Sequence, residues 1–136
     1  MELIEIDQLF IGLRNDHILH VYIKEKTALD KNLQHWLLIA YNHLAGDKKY
    51  PLIFEGGEFV DLTADGKAYA KEVLHEIPVI CEAIIVKNMA QLIIASFFLK
   101  FNKAPFKMKI FKHADKATNW CLEQAEINEA VLSNKD

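Results

Sequence analysis

Six histidines are the side chains of this sequence best suited to bind a metal or transfer a proton, yet their spacing fits neither use. His17 and His20 lie three residues apart around a predicted turn and strand, so their side chains are expected on opposite faces. His35 and His43 lie eight residues apart on a predicted helix, with no carboxylate-rich metal motif around them. The sequence also contains no HExxH, CxxC, GxSxG or P-loop pattern. We therefore predict no metal site, no cofactor, and surface or helix-capping roles for the histidines.

A glycine pair between two acids, Glu55-Gly56-Gly57-Glu58, is the second feature with chemical potential. A glycine turn could hold a phosphate, but the two flanking carboxylates oppose an anion electrostatically. The same acids could act as general acid and base, yet the sequence supplies no nucleophile or electrophile beside them. We predict a structural turn here, no catalytic residues and no enzymatic activity.

The composition is that of one globular domain of 136 residues, with 51% hydrophobic and 26% charged residues. A chain of this length can bury a core large enough to fold without disulfides or a structural metal. The net charge is −3, from 16 Lys and Arg against 19 Asp and Glu. Proteins dedicated to nucleic acids are normally strongly basic, so we expect no nucleic-acid partner.

The cysteines and the apolar runs indicate where the protein works. Cys81 and Cys121 have apolar neighbours, which is typical of buried thiols in a reducing compartment. The N-terminal residues have no basic region ahead of an apolar run, so no signal peptide is predicted. The apolar run at 92–99 is far shorter than the ~20 residues that cross a bilayer. We expect a cytoplasmic protein without a transmembrane segment.

Hydrophobic periodicity predicts a single α/β domain over residues 1–136. Strands are expected at residues 9–13, 18–23, 50–54, 83–86 and 106–111. Helices are expected at about 30–45, 63–75, 88–102 and from 115 to about 125. The first two strands form an antiparallel hairpin with a turn at 14–17, and residues 126–136 form a polar, frayed tail. The predicted fold is a mixed, mainly parallel sheet of about five strands, covered by about four helices.

The predicted helix at 88–102 has apolar residues nearly all the way round, although a helix on one side of a sheet needs only one apolar stripe. The surplus fits deeper burial, a homodimer or partner surface, or a surface for an apolar ligand or a membrane. The candidate interaction surface is Phe97, Phe98 and Phe101 with adjoining apolar residues.

Six lysines and one acid lie between residues 100 and 116. The lysines could be solvated side chains that protect an edge strand from pairing with another molecule. Alternatively they could form a surface for an anionic ligand or a lipid headgroup. The candidates for that surface are Lys100, Lys103, Lys107 and Lys109.

The element order, together with Phe-Val-Asp-Leu-Thr at 59–63 before a helix, resembles the STAS fold of sporulation anti-sigma-factor antagonists and sulfate-transporter tails. The chain is also similar to an uncharacterised bacterial branch of STAS-like proteins, and the similarity covers nearly the whole chain. The segments that carry it are DHILHV at 16–21, AIIV at 83–86, FFLKFNKAPF at 97–106, and ATNWCL at 117–122 after Phe111.

Signalling STAS proteins carry Asp-Ser-Ser/Thr-Gly at a helix start, and a partner kinase phosphorylates the first serine. Here Asp61 matches the aspartate, Leu62 stands at the phosphorylated serine, Thr63 at the second hydroxyl and Ala64 at the glycine. The resemblance therefore implies a switch that is lost, with Thr63 either a plain helix cap or a substitute phosphorylation position.

The resemblance implies a non-enzymatic regulatory protein that binds a protein partner or a second copy of itself. The alternative function is a small carrier for a lipid-like apolar or anionic ligand, since related folds bind lipids between sheet and helix. The lysines would then bind the headgroup and the apolar helix would bind the tail.

Overall fold

The structure, a computed structural model, describes residues 2–101 and 103–133, with Phe101 described by its backbone alone. The strands are β1 (Glu2–Ile6), β2 (Leu9–Leu13), β3 (Leu19–Ile23), β4 (Ala28–Leu29), β5 (Tyr50–Gly56), β6 (Asp61–Leu62), β7 (Val79–Ile85) and β8 (Lys107–Phe111). The helices of the described ranges are α1 (Lys31–Ala45), α2 (Ala64–Val73), α3 (Met89–Phe101) and α4 (Ala114–Ser133), with a short 3-10 turn at Leu74–Glu76.

The main sheet has six strands in the order β1-β2-β3-β5-β7-β8. The first three strands pair antiparallel, and β3, β5, β7 and β8 pair parallel. This confirms the α/β fold class with an antiparallel hairpin at the N-terminus. The sheet has one strand more than expected, because Glu2–Ile6 pairs with Leu9–Leu13 at the sheet edge. The side chains of this edge strand are exposed or half-buried. Its sequence therefore lacks the clear alternation of buried apolar and exposed polar residues that predicts a strand.

Side-chain caps fix the starts of α1 and α3. The Asp30 carboxylate accepts a hydrogen bond from the Leu33 N–H at 2.9 Å, and Asn88 Oδ1 accepts one from the Gln91 N–H at 2.9 Å. Each cap satisfies a backbone donor that has no partner inside its helix. The short strands β4 and β6 pair parallel and bring the starts of α1 and α2 side by side.

The end of α4 corrects one expectation. Residues 126–133, predicted as a frayed tail, continue the helix to Ser133, and residues 134–136 lie outside the described residues. The extension follows from helix propensity, because Glu126, Glu129, Ala130 and Leu132 are all strong helix formers. Within the described ranges, no helix combines the length and the apolar character that crossing a membrane requires.

The sheet separates two apolar layers. On one face, α1 packs over β1, β2, β3 and β5 through residues such as Leu9, Val21 and Leu37. On the other face, α4 places Ala117 and Cys121 against residues of β5 and β7. Alternating residues of β7 serve the two layers: Cys81, Ala83 and Ile85 are buried toward α4, and the residues between them are half-buried. The strand predicted at 83–86 begins earlier, at Val79. Its residues on the α4 face are more deeply buried than those on the opposite face.

Candidate ligand cavity

A cavity of about 190 Å³ lies between the sheet and the three helices α1, α2 and α3. Its walls are mainly aliphatic and aromatic, with Leu37 from α1, Phe54 from β5, Val73 from α2, Ile84 from β7 and Phe98 from α3. Protein interiors normally leave few voids larger than a water molecule. A cavity of this size beneath a sheet face, with mainly apolar walls, can therefore hold a small molecule.

Two charged residues border the cavity among the described residues, Glu55 and Glu82, but the Glu55 carboxylate lies on the opposite, α4 face of the sheet with His20. The Glu55 carboxylate is already engaged, since it lies 2.7 Å from His20 Nε2 and 3.6 Å from Lys87 Nζ. No described residue makes a hydrogen bond or an ion pair with the Glu82 carboxyl. Glu82 is thus the charged group of the cavity that remains open to a ligand.

The surroundings of Glu82 are apolar. Its neighbours on the adjoining strands are Leu52 and Met108, and burial raises the pKa of its carboxyl to about 7. The Tyr41 hydroxyl lies close enough for the charge of Glu82 to act on it, and burial first, then that charge, raises the pKa of Tyr41. Near neutral pH the Tyr41 hydroxyl is therefore protonated, and Glu82 is present in both its neutral and its ionised form.

A groove between α2 and α3 adjoins the cavity. It shares Leu62, Ile94 and Phe98 with the cavity walls. Its volume is about 430 Å³, and its outer rim carries Lys67 and Lys71 of α2. The Lys67 Nζ lies 5.6 Å from the centre of the Phe97 ring, a cation–π contact that partly covers the groove.

Helix α3 has a cavity-facing side and a solvent-facing side. Ala95 is buried and Phe98 is half-buried, and both line the cavity. Met89, Ile93 and Phe97 form a stripe on the outer side, with 69%, 62% and 55% of their surfaces exposed. The apolar residues of α3 thus line the cavity on one side of the helix and form an exposed face on the other. The predicted surface is divided in the same way, because Phe97 is exposed and Phe98 lines the cavity, while the Phe101 side chain lies outside the described residues.

Gln91 ties the start of α3 to the sheet. Its side-chain amide donates to the carbonyl oxygens of Gly56 and Gly57, both at 3.2 Å, and its Oε1 accepts from the Lys87 N–H at 2.7 Å. The turn that the sequence predicts at the glycine pair lies one step later: Gly56 ends β5, the Gly57 N–H donates to the Ile23 carbonyl oxygen at 2.8 Å, and the turn follows at 58–59. A Cβ on Gly57 would stand 2.8 Å from the backbone nitrogen of Glu25, so this close approach requires glycine.

The candidate lysines lie apart from the cavity. Lys107 and Lys109 are exposed on β8, an edge strand of the sheet, and Lys100 and Lys103 are exposed near the end of α3. None of these four side chains is among the described residues that line the cavity or the groove. Their placement fits protection of a sheet edge better than contact with a ligand in the cavity.

The STAS-like switch positions lie at the start of α2. Asp61 is exposed in β6, and Thr63 Oγ1 accepts a hydrogen bond from the Gly66 N–H at 3.1 Å. The Thr63 hydroxyl also donates to the Asp65 carboxylate, and this bond lowers the pKa of Asp65. A phosphate on Thr63 would meet that carboxylate, while the cap role uses the hydroxyl as it stands.

A polar cluster on the α4 face of the sheet joins residues that the sequence treats separately. His20 Nε2 bonds Glu55 Oε1 at 2.7 Å, and Arg14 Nη1 lies 3.5 Å from His20 Nδ1. Arg14 also pairs with Asp16 at 2.7 Å and reaches Thr118 Oγ1 of α4 at 3.4 Å. Both His20 ring nitrogens and both Glu55 oxygens have partners, so the cluster ties the β2–β3 turn to α4 and leaves no free acid or base.

Sequence reasoning missed Glu82 and Tyr41 as site residues. The available signal was the acid at 82 inside the run VICEAII at 79–85, a carboxyl where a half-buried strand face expects an apolar residue. Tyr41 carries no such signal, because it continues an ordinary apolar helix stripe.

Comparison with known proteins identifies a family for this chain, and the function of that family is unknown. No curated protein matches the sequence. Residues 11–125, which include every residue lining the cavity, match the family model of a domain of unknown function, DUF7793. Because that match spans most of the chain, the protein belongs to the DUF7793 family.

Proposed function

We propose that this protein is a non-enzymatic binding protein whose cavity holds a small, mainly apolar molecule. The observation that carries the proposal is the cavity of about 190 Å³ between the sheet and α1, α2 and α3. An apolar cavity of roughly 150 Å³ is large enough to bind benzene. The occupant is therefore a molecule slightly larger than benzene, surrounded by aliphatic and aromatic walls.

The chemistry of the cavity supports binding over group transfer. Its titratable groups, among the described residues, are Glu82, Tyr41 and the already paired Glu55. No cysteine, serine or cation of the described part lines it, so the cavity offers neither a thiol or serine hydroxyl nor a cation to stabilise a developing negative charge. A reducing, cytoplasmic setting is part of the proposal and is supported by the free, buried thiols of Cys81 and Cys121.

Filling the cavity tests this function. Ala95 lines the cavity on α3, so Ala95→Leu should occupy part of its volume, while Ala130→Leu changes an exposed position of α4. Benzyl alcohol, followed by NMR, should shift amide signals of cavity residues in the parent protein and in Ala130→Leu. In Ala95→Leu, adding benzyl alcohol should not shift these amide signals. Thermal unfolding checks that this variant is folded. Absence of cavity shifts in the parent protein would refute the proposal.

A second function, binding of a protein partner or a second copy, is favoured by the exposed stripe Met89, Ile93 and Phe97. Side chains four residues apart on one helix face form a continuous apolar surface, which marks interaction sites on soluble proteins. The resemblance to anti-sigma-factor antagonists points the same way and stays a prediction.

Charge substitutions on the stripe separate this function from the first. Ile93→Asp with Phe97→Asp should abolish association, measured by sedimentation velocity, and leave benzyl alcohol binding in place. Val131→Asp, an exposed apolar position on α4, is the matched control. Association that survives the double substitution, or that disappears equally in the control, would rule out this surface.

A further inference from the structure

The unpaired carboxyl of Glu82 narrows the chemical class of the ligand. We propose that the cavity selects a small apolar molecule bearing a protonated amine, whose N–H groups donate to the Glu82 carboxylate. This inference rests on the proposed function and adds to it a polar group, a charge and the residue that recognises both.

The position of Glu82 is the first support. It lies on a central strand, with Leu52 and Met108 as its neighbours on β5 and β8, and the helices above it contribute mainly apolar walls. An aliphatic residue there would fill space and avoid the cost of burying a carboxyl. The carboxyl costs stability in the empty protein, and this cost is recovered when a ligand supplies the missing partner.

Charge complementarity is the second support. The titratable side chain that α1 directs at the cavity is Tyr41, and the described residues of α2 and α3 that line it contribute none. Glu55 of β5 borders the cavity, but its carboxylate lies on the α4 face with His20. Glu55 contacts His20 and Lys87 away from the cavity, so the cavity presents one open carboxyl, that of Glu82, and no cation within the described chain. An ammonium group forms charge-assisted hydrogen bonds with a carboxylate, about twice as strong as neutral ones. A carboxylate ligand would place like charges together.

The competing occupant is an anionic amphiphile with its headgroup at Lys67 and Lys71 and its tail in the cavity. Such a tail would press methylene groups against Glu82 and leave the carboxyl unpaired. Lys67 is moreover already held over the Phe97 ring. The volume of about 190 Å³ also leaves room for few carbons. We therefore favour the amine, and the anionic ligand becomes one arm of the test.

Three matched probes test the class: benzylamine, benzyl alcohol and benzoate, titrated by calorimetry at about pH 8, where Glu82 is ionised. The parent protein should bind benzylamine at least about tenfold more tightly than benzyl alcohol, the ratio equal to 1.4 kcal/mol. Benzoate should bind more weakly than either. In Glu82→Gln the amine preference should fall to about threefold or less, with benzyl alcohol affinity retained. Glu58→Gln, which alters an exposed acid outside the cavity, should behave like the parent protein.

The pH dependence gives a second readout on the unaltered protein. Benzylamine affinity should fall as the pH drops below about 7, because Glu82 takes up a proton, and benzyl alcohol affinity should stay level. Equal binding of amine and alcohol, or a preference for benzoate, would overturn the amine inference and leave the proposed function standing. Failure of all three probes to bind would overturn both.

Discussion

Replacing Glu82 by Gln in the ligand-free protein should stabilise the fold at about pH 8 and change little at about pH 4. The pKa of the carboxyl rises from its ordinary value of 4.5 to about 7 on folding. Each pH unit between those two values is worth about 1.4 kcal/mol, so the ionised carboxyl costs the fold up to about 3 kcal/mol. Water reaching this half-buried side chain lowers the figure, and we expect roughly 2–3 kcal/mol of stabilisation.

The direction follows from proton uptake. The folded protein holds the Glu82 proton more tightly than the unfolded chain, so between about pH 4.5 and 7 it binds more protons. The contribution of this group to stability is therefore fully present below about pH 4.5. It declines as the pH rises and is lost above about pH 7. Glutamine does not ionise, so the variant lacks this decline.

Equilibrium urea unfolding of the parent protein, Glu82→Gln and Glu58→Gln at several pH values measures the effect. The difference in unfolding free energy between Glu82→Gln and the parent should grow from near zero to its full size across this window. Glu58→Gln should track the parent, because Glu58 is exposed. A difference that stays flat with pH, or a Glu82→Gln variant less stable than the parent at about pH 8, would show that the carboxyl has a stabilising partner.

Three further predictions concern local structure. Thr63→Ala should cost about 1 kcal/mol in urea unfolding through loss of the α2 cap, and Thr63→Ser should retain most of it; equal loss in both would contradict the cap role. Gly66→Ala should destabilise the fold by several kcal/mol or prevent folding, because its added Cβ would overlap the Leu29 carbonyl oxygen; near-normal thermal stability would disprove this. The hydrogen bond to Cys121, and then burial, raise the pKa of Cys81. Both thiols are buried, so neither should react with a thiol reagent until the protein unfolds; rapid labelling of the native protein would contradict their burial.

The helices were predictable because their signals are local. The caps at Asp30, Thr63 and Asn88 each bond a backbone N–H three residues along the chain, a relation that the sequence contains directly. The core stripe of α1 was equally clear, since Leu33, Leu37 and Ala40 repeat at helical spacing and are buried.

The cavity was not predictable because it depends on register and on three helices at once. Glu82 faces α1 only because β7 pairs with β5 so that Leu52 lies opposite it, thirty positions away in the chain. The sequence of α3 likewise predicted more apolar residues than one buried stripe needs, but not which of them face the cavity. Packing decides that Phe98 lines the cavity and Phe97 is exposed.

The two outer strands of the six-stranded sheet carry opposite charges. Exposed Glu2 and Glu5 lie on β1, and exposed Lys107 and Lys109 lie on β8. Molecules that meet through two like edges repel each other, whereas a β1 edge attracts a β8 edge. Contact between unlike edges is head-to-tail, so it builds a ring where the rotation closes and an open filament where it does not.

The acidic side chains of β1 have partners within the chain. Lys24 Nζ lies 3.0 Å from Glu5 Oε1, and His43 Nε2 lies 3.1 Å from Glu2 Oε2. These contacts stabilise the fold little, as is usual for exposed pairs. Their consequence lies instead in colloidal behaviour: they weaken the attraction between unlike edges and so help to keep neighbouring molecules from joining their sheets into one.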